Sequence, residues 1–261
     1  MFVSYAQNFE DVMLWRALRH VGTGFYIDAG ASYPVQDSVT QAFYERGWHG
    51  INIEPAPAPF ARLVAERPRD VNLNLALGES DGSARFFLIG PENGLSTMSA
   101  DFARNHQEAG WSARETEVDV TTLASVCETH ALSTIHFLKI DVEGAEASLL
   151  RGADFTRFRP WIILIEATEP NTQIPTAQEW EGLLIAAAYQ FVYFDGLNRF
   201  YLAAEQCEAL APAFTTPPNV FDGFVRAREV QLQRDLERVE AELAAARKPS
   251  RETRGRRTGR A

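Results

Sequence analysis

The sequence predicts an α/β fold: a mostly parallel seven-stranded sheet with a terminal antiparallel hairpin, followed by a separate C-terminal helix. Three observations carry this. Short apolar runs alternate with helical patterns through residues 24–195, the mark of a parallel sheet covered by helices on both faces. The alternation ends in two β-rich runs, Phe191 to Phe194 and Arg199 to Leu202, joined by Asp195-Gly196-Leu197-Asn198, which reads as a hairpin. From Asp222 onward the pattern changes to that of one amphipathic helix.

The elements follow in order. Gly24 to Ala29 is the first strand, and Ser38 to Arg46 an amphipathic stretch stopped by Gly47. Gly50 to Glu54 is the second strand. Prolines 55, 57 and 59 then punctuate the chain, and Phe60 to Glu66 reads as a helix begun by proline. Val71 to Leu77 alternates as one strand should, and Ala84 to Ile89 is another. Gly90 to Glu117, which contains Asn93-Gly94, is long and weakly patterned and reads as a lid or substrate loop. Leu123 to His130 is helical. Ile135 to Ile140 is a buried strand, and Ala145 to Leu150 the helix after it. Trp161 to Ile165 is a strand and Glu179 to Ala188 a helix.

This divides the chain into a body over 1–205, a linker over 206–221, a helix over 222–246 and a basic tail over 247–261. Pro212, Pro217 and Pro218 suggest the linker. In the helix, Val225, Leu232, Leu236, Val239 and Leu243 fall at a/d spacing. Such a stripe packs on its own domain or contacts another copy or a partner protein. The tail carries seven basic residues and one acid, without aromatics, and reads as disordered.

The net charge of −10 hides a body of −16. An acidic body argues against nucleic acid as a partner. No run approaches 18 apolar residues, so no transmembrane segment is expected. Met1 to Glu10 lacks a basic region followed by an apolar run, so no secretory signal is expected either. Cys127 and Cys207 have no Cys or His at ligand spacing, which points to reduced thiols in a cytoplasmic protein.

The first strand ends in Asp28-Ala29-Gly30-Ala31-Ser32. A cofactor laid over the carboxyl ends of parallel strands needs close backbone approach at this turn, and Gly30 permits it. Glu54 closes the second strand, placed to hold both ribose hydroxyls of an adenosine. Gly22 and Gly24 precede the first strand instead of following it, so the G-x-G-x-x-G fingerprint of a pyrophosphate site is missing. That disfavours a Rossmann-type oxidoreductase. S-adenosyl-L-methionine has no pyrophosphate and fits this Rossmann-like sheet better. In Phe137-Leu138-Lys139-Ile140-Asp141-Val142-Glu143-Gly144-Ala145-Glu146, a buried strand runs into an acid cluster and a helix start. Asp141 ends the strand at the functional edge. Glu146 reads as an acid complementing the helix dipole.

The segment Ser4-Tyr5-Ala6-Gln7-Asn8-Phe9-Glu10-Asp11 followed by Leu14 resembles the N-terminal signature of FkbM-type methyltransferases. So do Asp28-Ala29-Gly30-Ala31, Tyr44-Glu45-Arg46-Gly47-Trp48 and Gly50-Ile51-Asn52-Ile53-Glu54-Pro55. Leu95-Ser96-Thr97 and Leu138 to Glu146 also match, in the family's order. The resemblance implies the class I methyltransferase fold and methyl transfer to oxygen, often on sugars, glycans or polyketides. It implies that Gln7, Glu10 and Ser32 join Asp28, Gly30, Glu54 and Asp141 in binding S-adenosyl-L-methionine. The family usually has Gly where this chain has Phe9, and often Asn where it has Ser32.

The expected reaction is in-line attack of an acceptor hydroxyl on the sulfonium methyl, on a small-molecule or glycan acceptor. Asp141 is the first candidate for the proton acceptor, then Glu143, with His106 of the loop as a rival. Asp141, Glu143 and Glu166 leave room for a divalent metal, which the sequence does not predict. The rival reading of another class is a non-catalytic, cofactor-binding scaffold in a glycan-assembly complex.

Overall fold

The computed structural model describes residues 1–90, 95–130, 132–169 and 172–246. The tail at 247–261 and Asn93-Gly94 lie outside the described residues. The chain begins with β1 (Phe2–Ser4), α1 (Glu10–Leu18), β2 (Phe25–Ala29), α2 (Gln41–Tyr44), β3 (His49–Ile53), α3 (Pro57–Glu66) and β4 (Val71–Leu73). It continues through β5 (Ala76–Leu77), β6 (Gly82–Ile89), α4 (Ala100–Glu108), β7 (Ala113–Thr121) and α5 (Leu123–Thr129). Then come β8 (Phe137–Ile140), α6 (Glu146–Arg151), β9 (Ile162–Glu166), α7 (Glu181–Ala186), β10 (Tyr189–Phe194) and β11 (Asn198–Ala203). The C-terminal part holds α8 (Cys207–Leu210), β12 (Phe224–Arg226) and α9 (Ala227–Ala246).

The main sheet has seven strands in the order β10-β11-β9-β8-β2-β3-β4. β4, β3, β2, β8 and β9 run parallel, and β11 runs antiparallel to both its neighbours. The sheet is therefore mixed. The two-residue period of each strand sends side chains to opposite faces. Ile27, Leu138, Ile140, Ile163 and Ile165 enter one apolar cluster. Tyr26, Phe137, Ile162 and Leu164 enter the other, under α1 and Phe43. Lys139 shares the second face, and its register partner on β2 is Asp28.

Two smaller sheets depart from the sequence reading. Val71 to Leu77 is not one strand. β4 joins the main sheet, while β5 joins a three-stranded sheet, β5-β7-β6. Gly90 to Glu117 is likewise not a structureless lid. Its described residues fall mostly in α4, capped by the Ser99 side chain on the Phe102 amide, and in the first half of β7, which pairs with β6 from Ala113 to Val120. The weak pattern has a physical reason: β7 has an exposed polar face, and Ala113 to Thr121 buries little apolar area.

The expected linker is also packed onto the body. Leu210 and Phe214 are core residues, and β12 pairs in parallel with β1. Arg16 holds the segment, meeting both carboxylate oxygens of Asp222 at 2.7 and 2.6 Å and the carbonyls of Ala213, Thr216 and Pro217. The helix begins at Ala227, not at Asp222, and Leu232, Leu236, Val239 and Leu243 on it are exposed. A chain ending after Arg226 should thus melt within about 2 °C of the full chain, since it loses only surface. A chain ending after Pro218 loses both the bidentate clamp and β12, and should melt several degrees lower. Equal melting of the two by circular dichroism would show that the clamp contributes nothing.

Candidate functional site

A cavity of about 1480 Å³ opens at the carboxyl ends of β2, β3, β8 and β9. It exceeds the roughly 300–1,000 Å³ of a single-ligand pocket, so it has room for two reactants. The strand ends form its floor, and Phe86, Leu88 and Arg114 from the three-stranded sheet form one wall. The turn between β10 and β11 closes another side.

A caged ammonium organises the floor. Lys139 Nζ donates to the Gly30 carbonyl at 2.6 Å. It also lies 3.4 Å from Asp28 Oδ1 and 3.3 Å from Asp141 Oδ2. Burial works against the charged amine, but the charges of Asp141 and Asp28 outweigh it and hold the Lys139 pKa above its ordinary value. Asp28 is fully buried. Its Oδ2 accepts from Thr40, and its Oδ1 accepts no hydrogen bond. Gly30 sits at φ +75, and a Cβ there would lie 1.7 Å from the Asp141 carbonyl oxygen, so only glycine lets β2 and β8 close this tightly.

Glu54 follows β3 and is buried. One carboxylate oxygen accepts from the Ser32 amide at 2.8 Å and the other from the Ala56 amide at 2.7 Å. Each oxygen keeps a second lone pair, and the residue lines the cavity. Burial pushes its pKa up to about 7, against the pull of those amides.

Beyond Lys139 lies an acidic trio. One carboxylate oxygen from each of Asp141, Glu143 and Glu166 lies within 4.8 Å of the others. Burial, then the charges of Asp141 and Glu146, push Glu143 well above the usual carboxylate range. Burial and the charges of Asp141 and Glu143 do the same to Glu166. Glu146 is a support for the turn: its Oε1 accepts from the Val142 and Gly144 amides, both at 3.2 Å. Thr97 ties the wall to this turn, its hydroxyl donating to the Glu143 carbonyl at 2.5 Å. Gly144, at φ +94, lets the Phe102 ring of α4 pack where a Cβ would come within 2.7 Å.

The remaining side is built from the N-terminal segment and the hairpin turn. Buried Glu10 accepts from Asn198 Nδ2 and from the Asn8 amide, both at 2.8 Å. Asn8 Nδ2 in turn donates to the Asp195 carbonyl at 3.0 Å. Burial, and next the Asp195 charge, push Glu10 up to about 8.

The structure thus brings Gln7, Glu10, Asp28, Gly30, Ser32, Glu54, Asp141 and Glu143 to one cavity. It does not bring His106 there. That imidazole is buried beneath α4, its Nε2 has no hydrogen-bond partner, and it is not among the lining residues. Sequence reasoning missed Lys139, Asp195 and Asn198 as parts of the site. A lysine inside the otherwise apolar Phe137-Leu138-Lys139-Ile140 was the available signal, because a strand buried on both faces accepts a charge only when it is paired.

Fold and site define an α/β protein with its ligand cavity at the carboxyl edge of the sheet, walled by carboxylates rather than by a glycine-rich phosphate loop. Residues 28–193 match the family model of the methyltransferase FkbM domain, and the chain belongs to this methyltransferase family. The match spans the floor of the cavity from Asp28 to Glu166, and Gln7 and Glu10 precede it. No curated protein matches the chain. Among the described residues no helix is long and apolar enough to cross a membrane.

Proposed function

We propose that the protein is a class I, S-adenosylmethionine-dependent methyltransferase acting on a hydroxyl of a sugar, glycan or related secondary metabolite. The observation that carries this is the pairing of Asp28 and Glu54 at adjacent strand ends with Asp141 across the floor of one two-reactant cavity. The residues fit the cofactor. Asp28 Oδ1 is buried, accepts no hydrogen bond and faces the Lys139 ammonium at 3.4 Å, and the free lone pairs of Glu54 suit two ribose hydroxyls. When bound, S-adenosylmethionine supplies a methyl group on a positively charged sulfur.

The protein's own residues then have three tasks. Glu54 and Asp28 orient the donor, which turns a bimolecular encounter into an ordered one. Asp141, with 38% of its side chain exposed, holds the acceptor hydroxyl and takes its proton. Gln7, Asn8, Gln173 and Asn198 offer neutral hydrogen-bonding groups around the other end, which suits a polyhydroxylated acceptor. Two free thiols, one of them buried, fit a cytoplasmic location.

Calorimetry with S-adenosylhomocysteine and with NAD tests the reading. S-adenosylhomocysteine should bind and NAD should not. Glu54→Ala should weaken S-adenosylhomocysteine binding by roughly 1–3 kcal/mol, the usual size for hydrogen bonds to a charged group. NAD binding without a response to S-adenosylhomocysteine sinks the assignment, and an unchanged Glu54→Ala affinity moves the ribose elsewhere.

A further inference from the structure

We propose that Asp141, Glu143 and Glu166 form a binding site for one hard divalent cation of the Mg²⁺ or Mn²⁺ class. The three side chains come from the turn after β8 and the end of the neighbouring strand β9. Their closest oxygens are no more than 4.8 Å apart. Three such oxygens share a point within about 2.8 Å of each, against ~2.1 Å for a bound Mg²⁺, so a small side-chain rotation completes the contact. A donor set made only of carboxylates selects hard cations over zinc or copper.

Acids gathered at a sheet edge are common, and proximity alone would not make this a site. The second observation is the Glu143 carboxylate. Glu143 belongs to the cluster, and its Oε2 is sealed from solvent and accepts no hydrogen bond. The turn has amides that could serve it, but those of Val142 and Gly144 go to Glu146 instead. Nor does Lys139 fill the role. It reaches Asp141, but its ammonium is already held by the Gly30 carbonyl and Asp28. Among the described residues neither Glu143 nor Glu166 forms a salt bridge. The fold thus gathers three carboxyl groups and leaves part of the cluster unsatisfied, so their full ionisation is costly unless a cation enters.

Three protein oxygens leave an octahedral ion open positions facing the cavity. One or two acceptor oxygens can occupy them, where the ion orients the acceptor and lowers the pKa of a bound hydroxyl. Only this role rests on the proposed methyl transfer; cation binding does not.

The test uses the full chain and Mn²⁺ as the probe, followed by the loss of the free Mn²⁺ signal in electron paramagnetic resonance. One Mn²⁺ per chain should bind below about 1 mM. Glu143→Gln and Glu166→Gln should each weaken binding at least roughly tenfold, the scale of lost support at a metal site. Glu79→Gln, at a surface ion pair with Arg151, should leave it unchanged. Without metal both cavity variants should melt at or above the wild-type temperature, because each replaces an acid whose ionisation is unfavourable with a neutral isostere. That result separates lost ligation from lost folding. Absence of a stoichiometric Mn²⁺ site, or binding that survives both substitutions, overturns the proposal. S-adenosylhomocysteine binding reports independently: retained without Mn²⁺ binding, it sinks the cation site alone, and lost with Mn²⁺ binding intact, it sinks the donor reading alone.

Discussion

Asp141→Asn should lower methyl transfer by roughly 10²–10⁴-fold, the range that general-base catalysis contributes. Asparagine is nearly isosteric but accepts no proton at neutral pH. Affinity for S-adenosylhomocysteine should change much less, since Asp28 and Glu54 remain. A helix-capping role would predict little loss, because asparagine caps about as well as aspartate. The structure weakens that alternative in advance: the turn amides are taken by Glu146, and the Asp141 carboxylate instead meets Lys139. Glu166 is a poorer acceptor, because burial and the charges of Asp141 and Glu143 push its pKa up to about 11 and keep it protonated near neutral pH without a cation. Assays with and without EDTA divide the two roles open to Asp141. A proton acceptor alone gives chelator-insensitive wild-type turnover, and a metal ligand gives chelator-sensitive turnover. Near wild-type turnover of Asp141→Asn would remove it from the mechanism and leave Glu143 as the candidate inside the cavity.

The half of this cavity proposed for the cofactor was legible in the sequence because its residues sit at strand ends. A strand end is marked by an apolar run followed by a glycine or an acid, and Asp28, Gly30, Glu54 and Asp141 each have that mark. Asp195 and Asn198 had none, since they read only as hairpin-turn residues. The approach of Asn198 to Glu10 spans 188 residues and depends on tertiary packing. The linker failed for a related reason. Three prolines suggested an extended segment, but Arg16, nearly two hundred residues earlier, folds it down.

Both departures from the family pattern have a backbone meaning that the sequence did not disclose. Phe9 has φ 64 and Ser32 has φ 50, the left-handed region where glycine and asparagine are at ease. Strain at Phe9 is offset by packing: its ring lies 5.1 Å from that of Phe224 and beneath the Arg226 guanidinium, both on β12. The unusual residue and the docked C-terminal strand therefore belong together.

Lys139→Met should destabilise the fold by on the order of 3 kcal/mol, the lower end of the cost of breaking a buried ion pair. Methionine keeps the length and apolar stem of lysine, so the loss reports the charge. Most of it comes from Asp28, whose side chain is 2% exposed and would be left facing Asp141 with only Thr40 for support. Asp141 contributes less, because its more open carboxylate can regain water. The Gly30 carbonyl also loses its 2.6 Å donor, which loosens the turn over which the cofactor would lie. For a chain of this size the melting temperature should fall by roughly 6–12 °C. The double variant Lys139→Met with Asp28→Asn should recover part of that loss, since the orphaned charge is gone. A purely steric role for Lys139 predicts the opposite: the second substitution would add its own cost, and the coupling energy from the four-protein cycle would be near zero.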